Sequence, residues 1–163
     1  TCALPICLCI AGQLALMPAS VAILAPGVNA FRRLRKNLTE PVFNSWGYNT
    51  RSAALRIPCS DESNRRIEYR LAGADANPYL VAATILTGML YGLEHIDEGD
   101  LPEPQHDQPE LPLFQQEAIE AFARCQYLTD SLGDAFSEQW VACKLSELDW
   151  FERIVTQEES HLA

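Results

Sequence analysis

Two segments decide the fold prediction for this chain: Arg-Ser-Ala-Ala-Leu-Arg-Ile-Pro at residues 51–58 and Arg-Arg-Ile-Glu-Tyr-Arg at residues 65–70. In the second segment, charged and apolar side chains alternate with the period of two that is typical of a β-strand. We predict strands over 53–58 and 65–71, joined by a polar turn and paired antiparallel.

Arginine is concentrated on these predicted strands. Arg66, Glu68 and Arg70 would share one face of the second strand, and Arg51 and Arg56 lie on or next to the first. A guanidinium group binds phosphate or carboxylate through paired hydrogen bonds and stays charged, and a carboxylate among such cations is a natural ligand for Mg²⁺. The pattern indicates a site for a polyphosphate with a metal ion. The alternative is a half-solvated edge strand, in which charged and apolar residues also alternate.

The charge of the chain is divided along its length. The 163 residues, of which 48% are hydrophobic, suffice for one domain with a core. Residues 32–70 carry nine basic and four acidic side chains, which gives a net charge of +5. Residues 71–163 carry three basic and eighteen acidic side chains, which gives a net charge of −15. A basic block in an acidic chain indicates a local anionic ligand, since a nucleic-acid surface would need a basic domain. We expect no nucleic-acid partner.

The cysteines and histidines lack the spacing of a zinc site. No Cys-x-x-Cys pair occurs among the six cysteines, and the three histidines lie in acidic stretches. Free thiols in a reducing cytosol are the better interpretation, which predicts a cytoplasmic protein. Residues 1–31 carry no charged side chain, but prolines and glycines interrupt this run and no basic segment precedes it. We therefore predict a buried helix there, not a membrane span or signal peptide.

The first third of the chain is predicted to contain two short helices and a long loop. The spacing is compatible with a helix over 8–17, and Pro18 would stand in the first turn of a second helix that ends near Leu24. Pro26 and Gly27 form a turn signal. Residues 28–50 are predicted to be a loop.

Helices are predicted to follow the two strands. Asn77 and Pro78 are typical of a helix start, and the apolar run 79–93 predicts a buried helix. The acidic, proline-rich residues 95–112 predict a surface segment with little structure of its own.

The last part of the chain has helical apolar spacing. It begins at Leu113, and Gly133 is predicted to end a short helix. A final helix is predicted from Asp134 to Val155. Three aromatic residues of this helix are expected to pack: Trp140, Trp150 and Phe151.

Four ordered motifs resemble the carboxyl-terminal third of the glutamine synthetase family, which is the carboxyl-terminal part of its catalytic domain. They are Asn-Ala-Phe-Arg-Arg-Leu at 29–34, Asn-Thr-Arg-Ser-Ala-Ala-Leu-Arg-Ile-Pro at 49–58, Arg-Ile-Glu-Tyr-Arg at 66–70 and Ala-Asn-Pro-Tyr-Leu at 76–80. The resemblance spans residues 8–163 and leaves residues 1–7 as an atypical amino end. It implies an α+β fragment, in which antiparallel active-site strands are backed by helices and the carboxyl-terminal part is helical.

The resemblance also implies an activity. Family members are ATP-dependent ligases in which the side-chain carboxylate of glutamate attacks the γ-phosphate, and an amine then displaces phosphate from the acyl phosphate. Mg²⁺ or Mn²⁺ is required, and the resemblance implies a cytoplasmic homo-oligomer. Six residues receive roles by matching positions: Glu68 as a metal ligand, Arg51 as the catalytic arginine on the γ-phosphoryl group, Arg56 and Arg66 on the ATP phosphates, and Arg33 and Arg70 on glutamate.

Two departures from the family pattern limit this transfer. Ammonia-using members carry a glutamate two residues before the proline of the loop that follows the substrate arginine. Here that position is Thr39, and the acid is Glu40, adjacent to Pro41. The segments 44–47 and 73–79 also resemble the γ-glutamylpolyamine (γ-glutamylputrescine) synthetase branch, so a putrescine-like amine is expected, with ammonia as the alternative.

The second departure is that much of the family's catalytic apparatus lies upstream of the matching region. The resemblance places there the amino-terminal domain, the other metal ligands and most of the nucleotide pocket, so this chain alone is expected to be inactive. We interpret the start at Thr1 as a cut made inside a larger protein. The alternative is a truncated, non-catalytic module that packs against full-length subunits through residues 8–25, and a start codon just before Thr1 would favour it.

Overall fold

The computed structural model describes residues 4–36, 41–97, 103–104 and 109–154 of the chain, with only the backbone of Glu62. Within these ranges the protein is helix-rich, with one small sheet. The helices are α1 (Leu4–Leu24), α2 (Val28–Arg33), α3 (Pro78–His95), α4 (Gln115–Arg124), α5 (Gln126–Leu132) and α6 (Asp134–Glu152). The strands are β1 (Trp46–Tyr48), β2 (Leu55–Ile57) and β3 (Glu68–Tyr69), with a 3₁₀ turn at Glu62–Asn64.

The sheet has the order β1-β2-β3. β2 and β3 pair antiparallel, with Arg56 opposite Glu68 and Leu55 opposite Tyr69, which confirms the predicted pairing over shorter strands. β1 runs parallel to β2. The prediction of a loop over 28–50 is therefore wrong at α2 and β1. Both elements are too short to show a periodic pattern, and β1 consists of Trp, Gly and Tyr.

α1 is one continuous helix of 21 residues, so the predicted break at Pro18 is wrong. Proline has no N–H to donate to the carbonyl four residues earlier, which belongs to Leu14. The Nδ2 group of Asn44 donates to this oxygen at 2.9 Å instead. The helix continues through Pro18 because a side chain from another part of the chain replaces the missing donor.

α1 lies in the core and packs along α3. By length and composition it could cross a membrane, but 72% of its most apolar window is buried inside the protein, as in a core helix of a soluble protein. A Cβ on Gly92 would lie 1.9 Å from the carbonyl oxygen of Leu8, and one on Gly12 would lie 2.2 Å from that of Gly88. The two backbones are therefore in direct contact at these glycines. Because α1 is buried, residues 8–25 do not offer the packing surface expected for a truncated module.

α3 begins as predicted. The Oδ1 atom of Asn77 accepts from the backbone N–H of Tyr79 at 2.9 Å, and Pro78 stands in the first turn. The prediction that the helix is buried is wrong for its outer face, where Tyr79, Leu86, Leu90 and Leu93 are exposed. Only the face with the small residues packs on α1, and the described residues do not cover the opposite face.

The helices after Leu113 were partly predicted. Gly133 ends α5 with a φ of 92°, and α6 begins at Asp134, as expected. The predicted short helix is two helices that meet at Cys125. The packing prediction is wrong for Trp150, which is 67% exposed, whereas Trp140 stacks on Phe136.

Two of the remaining predictions lie partly outside the described residues. Val155, the predicted end of the last helix, lies beyond them, and α6 ends at Glu152. Most of residues 95–112 also lies outside, but Leu111 is buried and Glu110 forms a β-bridge with Phe43. This end of the acidic segment therefore belongs to the folded structure, against the prediction of a loose surface segment.

Candidate active site

The pairing of β2 with β3 brings three of the predicted site residues together. Nη1 of Arg56 donates to Oε2 of Glu68 at 2.8 Å, and Nη2 of Arg66 donates to Oε1 at 3.0 Å. Arg56 faces Glu68 across the strands, and Arg66 precedes it by two residues, so all three side chains lie on one face. Both oxygens of the carboxylate therefore accept from a guanidinium group.

These contacts keep Glu68 ionised. The hydrogen bond from Arg56 lowers the pKa of Glu68 most, and the hydrogen bond from Arg66 adds to this. Partial desolvation acts in the opposite direction but does not cancel the effect. At neutral pH the cluster is one anion between two cations.

Arg56 has a second fixed contact. Its Nη2 donates to Oδ1 of Asn49 at 2.9 Å, and its Nε is buried without a hydrogen-bond partner among the described residues. Arg66 also donates from Nη1 to the backbone carbonyl of Asn64 at 3.2 Å. Asn49 was not identified as a site residue from the sequence, although it is the first residue of the motif at 49–58.

Arg33 and Arg70 both bond to main-chain carbonyls near the strands. Arg33, at the end of α2, donates from Nη2 to the carbonyl of Leu71 at 3.3 Å. Arg70 follows β3 and donates from Nη1 to the carbonyl of Ala53 at 3.3 Å. Arg51 is exposed in the connection between β1 and β2. The structure thus joins Arg56, Arg66 and Glu68 by direct contacts, and it anchors Arg33 and Arg70 to the backbone.

A cavity of about 540 Å³ lies between the sheet and the helices α1 and α3, and Arg66 is the one residue of the cluster that lines it. Its volume falls in the range of small-molecule sites. Its lining includes Gln13, Tyr48, Arg65, Arg66, Tyr69 and Met89. Arg65 and Arg66 give it a cationic side, and the helices give it an apolar side. No sequence signal marked Gln13 or Met89, because they lie on helices far along the chain from the arginines.

The described residues do not form a metal site by themselves. Among them, no three or more His, Cys, Asp or Glu side chains lie together in a group that could hold an ion. Glu68 offers one carboxylate, whose oxygens already accept from arginines. A divalent cation needs several oxygen ligands, so Glu68 could supply one of them and the others would have to come from elsewhere.

Comparison with known proteins identifies the family. The model of the glutamine synthetase catalytic domain matches residues 6–162. The γ-glutamylputrescine synthetase PuuA of Escherichia coli (strain K12) is 44% identical over 156 residues, which cover 92% of this chain and 33% of that protein. The glutamine synthetase of Pyrococcus woesei is 32% identical over 165 residues, covering 94% of this chain and 37% of that protein.

Two further comparisons agree. Mouse lengsin is 36% identical over 151 residues, covering 86% of this chain and 26% of that protein. The solved apo structure of GmaS without ligand superposes with a TM-score of 0.81 at 26% identity, covering 98% of this chain and 38% of that one. The chain therefore spans between about a quarter and two fifths of the length of these proteins. The chain belongs to the glutamine synthetase family and matches the catalytic domain of that family.

Proposed function

We propose that this chain carries part of the active site of an ATP-dependent ligase that joins the side-chain carboxylate of glutamate to an amine. In this reaction a carboxylate oxygen attacks the γ-phosphorus and ADP leaves. The amine nitrogen then attacks the acyl carbon of γ-glutamyl phosphate, the C–O bond to phosphate breaks, and the amine loses a proton. The single observation that carries the proposal is the Arg56–Glu68–Arg66 cluster, in a chain of this family.

The cluster suits phosphoryl transfer because positioned cations are the main catalytic requirement of that chemistry. We assign Arg56 and Arg66 to the ATP phosphates and Arg51 to the γ-phosphoryl group during transfer. The side chain of Arg66 is 53% exposed, and the exposed Arg51 extends from the β1–β2 connection, so both can reach a ligand. Arg56 is more buried and is held on two sides by Glu68 and Asn49.

We assign Glu68 as one ligand of Mg²⁺ or Mn²⁺, together with ligands that lie outside this chain. When bound, the cation would neutralise charge on the phosphates. The contacts of Glu68 with two arginines hold an ionised oxygen ligand at the place where the phosphate-binding cations meet.

We assign Arg33 and Arg70 to the glutamate substrate. The structure supports this assignment by anchoring one nitrogen of each guanidinium group to a main-chain carbonyl near β3. An anchored guanidinium group loses less rotamer entropy when it binds a carboxylate. The order of the motifs along the chain also agrees with this assignment, because both arginines lie in segments that resemble the family.

For the amine we propose a putrescine-like compound. The 44% identity to a protein named γ-glutamylputrescine synthetase supports this choice, against 32% for one named glutamine synthetase. Ammonia stays the alternative, and Thr39 and Glu40, which bear on this point, lie outside the described residues. We further propose a cytoplasmic homo-oligomer in which residues 8–163 are the carboxyl-terminal part of the catalytic domain and the chain alone is inactive.

The test uses the full-length protein that contains this chain. Phosphate release with glutamate, ATP and Mg²⁺ is measured with putrescine and, separately, with ammonium. We expect phosphate release that depends on the amine and is faster with putrescine. The Glu68→Ala variant should lose this phosphate release. Release that does not depend on either amine would refute the ligase proposal, whereas faster release with ammonium would refute only the choice of amine.

A further inference from the structure

We propose that Asn49 is a positioning residue for Arg56. The inference rests on the proposed function, because it assumes that Arg56 binds the phosphates of ATP. It adds a residue whose role is to fix the direction of that guanidinium group without touching the nucleotide.

Asn49 is the first residue after β1, in the connection that leads to the parallel strand β2. Its φ is 50°, in the left-handed region, where asparagine is tolerated better than most residues. Its backbone N–H donates to the carbonyl of Ile57 at 2.9 Å. This hydrogen bond ties Asn49 to the end of β2, one residue beyond Arg56. The backbone of Asn49 and the backbone of Arg56 are therefore fixed relative to each other.

The side chain of Asn49 uses this fixed position. Its Oδ1 accepts from Nη2 of Arg56 at 2.9 Å, while Nη1 of the same guanidinium group donates to Glu68 at 2.8 Å. A guanidinium group that is held through one nitrogen can swing about that contact. One that is held through two nitrogens has a fixed plane, and the direction of its remaining N–H groups is then fixed as well.

Two features separate this role from a simple turn. A left-handed φ is unfavourable for residues other than glycine, and such residues persist where the surrounding structure determines them. Glycine would adopt the same φ more easily, so the turn alone does not call for asparagine. Asparagine supplies both the left-handed φ and an acceptor oxygen for Arg56. Among the described residues, Asn49 is the only non-glycine residue with a positive φ.

The experiment compares three variants of the full-length protein. Asn49→Gly keeps the left-handed φ and removes the acceptor. Asn49→Asp keeps both the φ and an acceptor oxygen. Thr50→Ala is the matched control. It removes a hydroxyl group in the same connection, and this hydroxyl group contacts Ser52 and not Arg56. The measurements are the KM for ATP and for glutamate, kcat, the thermal midpoint and the Kd for a non-hydrolysable ATP analogue.

We expect Asn49→Gly to lower kcat/KM for ATP about tenfold, with an unchanged thermal midpoint and an unchanged KM for glutamate. Asn49→Asp should recover most of this loss, to within about threefold of the wild type, and Thr50→Ala should match the wild type. Wild-type values in Asn49→Gly, or a loss that tracks a lower thermal midpoint, would overturn the positioning role. If the wild-type protein lacks ligase activity, the proposed function fails. The analogue Kd then decides the positioning role separately, since a weaker Kd in Asn49→Gly but not in Asn49→Asp supports it and equal values refute it.

Discussion

Asn44 donates a hydrogen bond from Nδ2 to the carbonyl oxygen of Leu14 at 2.9 Å, and this oxygen is the one that Pro18 leaves without its helical partner. The two residues lie 30 positions apart along the chain. The contact therefore links the continuity of the core helix α1 to the segment that leads into β1. It is a tertiary replacement for a local hydrogen bond.

This relationship predicts a stability effect. Asn44→Ala should lower the free energy of unfolding by about 1–2 kcal/mol, because a partly buried carbonyl loses its donor. In a Pro18→Ala background, the residue at position 18 regains an N–H and can donate to Leu14 itself, so the same substitution should cost less. Urea denaturation of the four proteins of this cycle measures the difference. Equal costs in both backgrounds would show that the Asn44 contact does not compensate for Pro18.

The contact of α1 with α3 predicts a larger effect. Gly92→Ala would place a Cβ 1.9 Å from the backbone oxygen of Leu8, so the helices would have to move apart. We expect a loss of about 3 kcal/mol or more in the free energy of unfolding. Gly27→Ala is the control, since a Cβ there meets Asp75 at an ordinary 3.7 Å, and it should cost less than about 1 kcal/mol. A Gly92→Ala protein as stable as the control would contradict the close packing.

The Glu68 cluster predicts a dependence of stability on pH. The arginine contacts lower the pKa of Glu68 in the folded protein below its ordinary value of 4.5. The carboxylate therefore contributes stability that is fully present above the unfolded pKa and is lost as pH falls through the folded pKa. The difference in the free energy of unfolding between wild type and Glu68→Gln should shrink as pH falls from 7 to below about 4. Glu138→Gln, on the exposed side of α6, serves as the control for removal of a surface charge, and a pH-independent difference for Glu68→Gln would refute the prediction.

Substitution of Arg51 is expected to lower turnover without a loss of structure. Arg51→Lys replaces a planar fork by a point charge, so kcat of the full-length ligase should fall about a hundredfold. The thermal midpoint should stay unchanged, because Arg51 is exposed. Arg153→Lys, at an exposed ion pair with Asp149 on α6, is the matched control. Normal turnover in Arg51→Lys would remove Arg51 from the proposed machinery.

Local signals predicted the parts of the site that lie on one strand or one turn. The alternation around Glu68 correctly placed Arg66 beside it, since side chains two residues apart share a face of a strand. The antiparallel pairing then brought Arg56 across from Glu68. Asn49 and Gln13 could not be predicted in the same way, because their contacts depend on a short parallel strand and on a helix far along the chain.

The sequence by itself determined the features that neighbouring residues decide. These are the two charged strands, the capped start of α3 at Asn77 and the boundary at Gly133, because β alternation, capping and a left-handed φ are local properties of the chain. Only the tertiary structure decided whether α1 continues through Pro18 and which face of α3 is buried. Both outcomes depend on atoms that are distant in sequence: the amide of Asn44, and the backbone of α1 against Gly88 and Gly92.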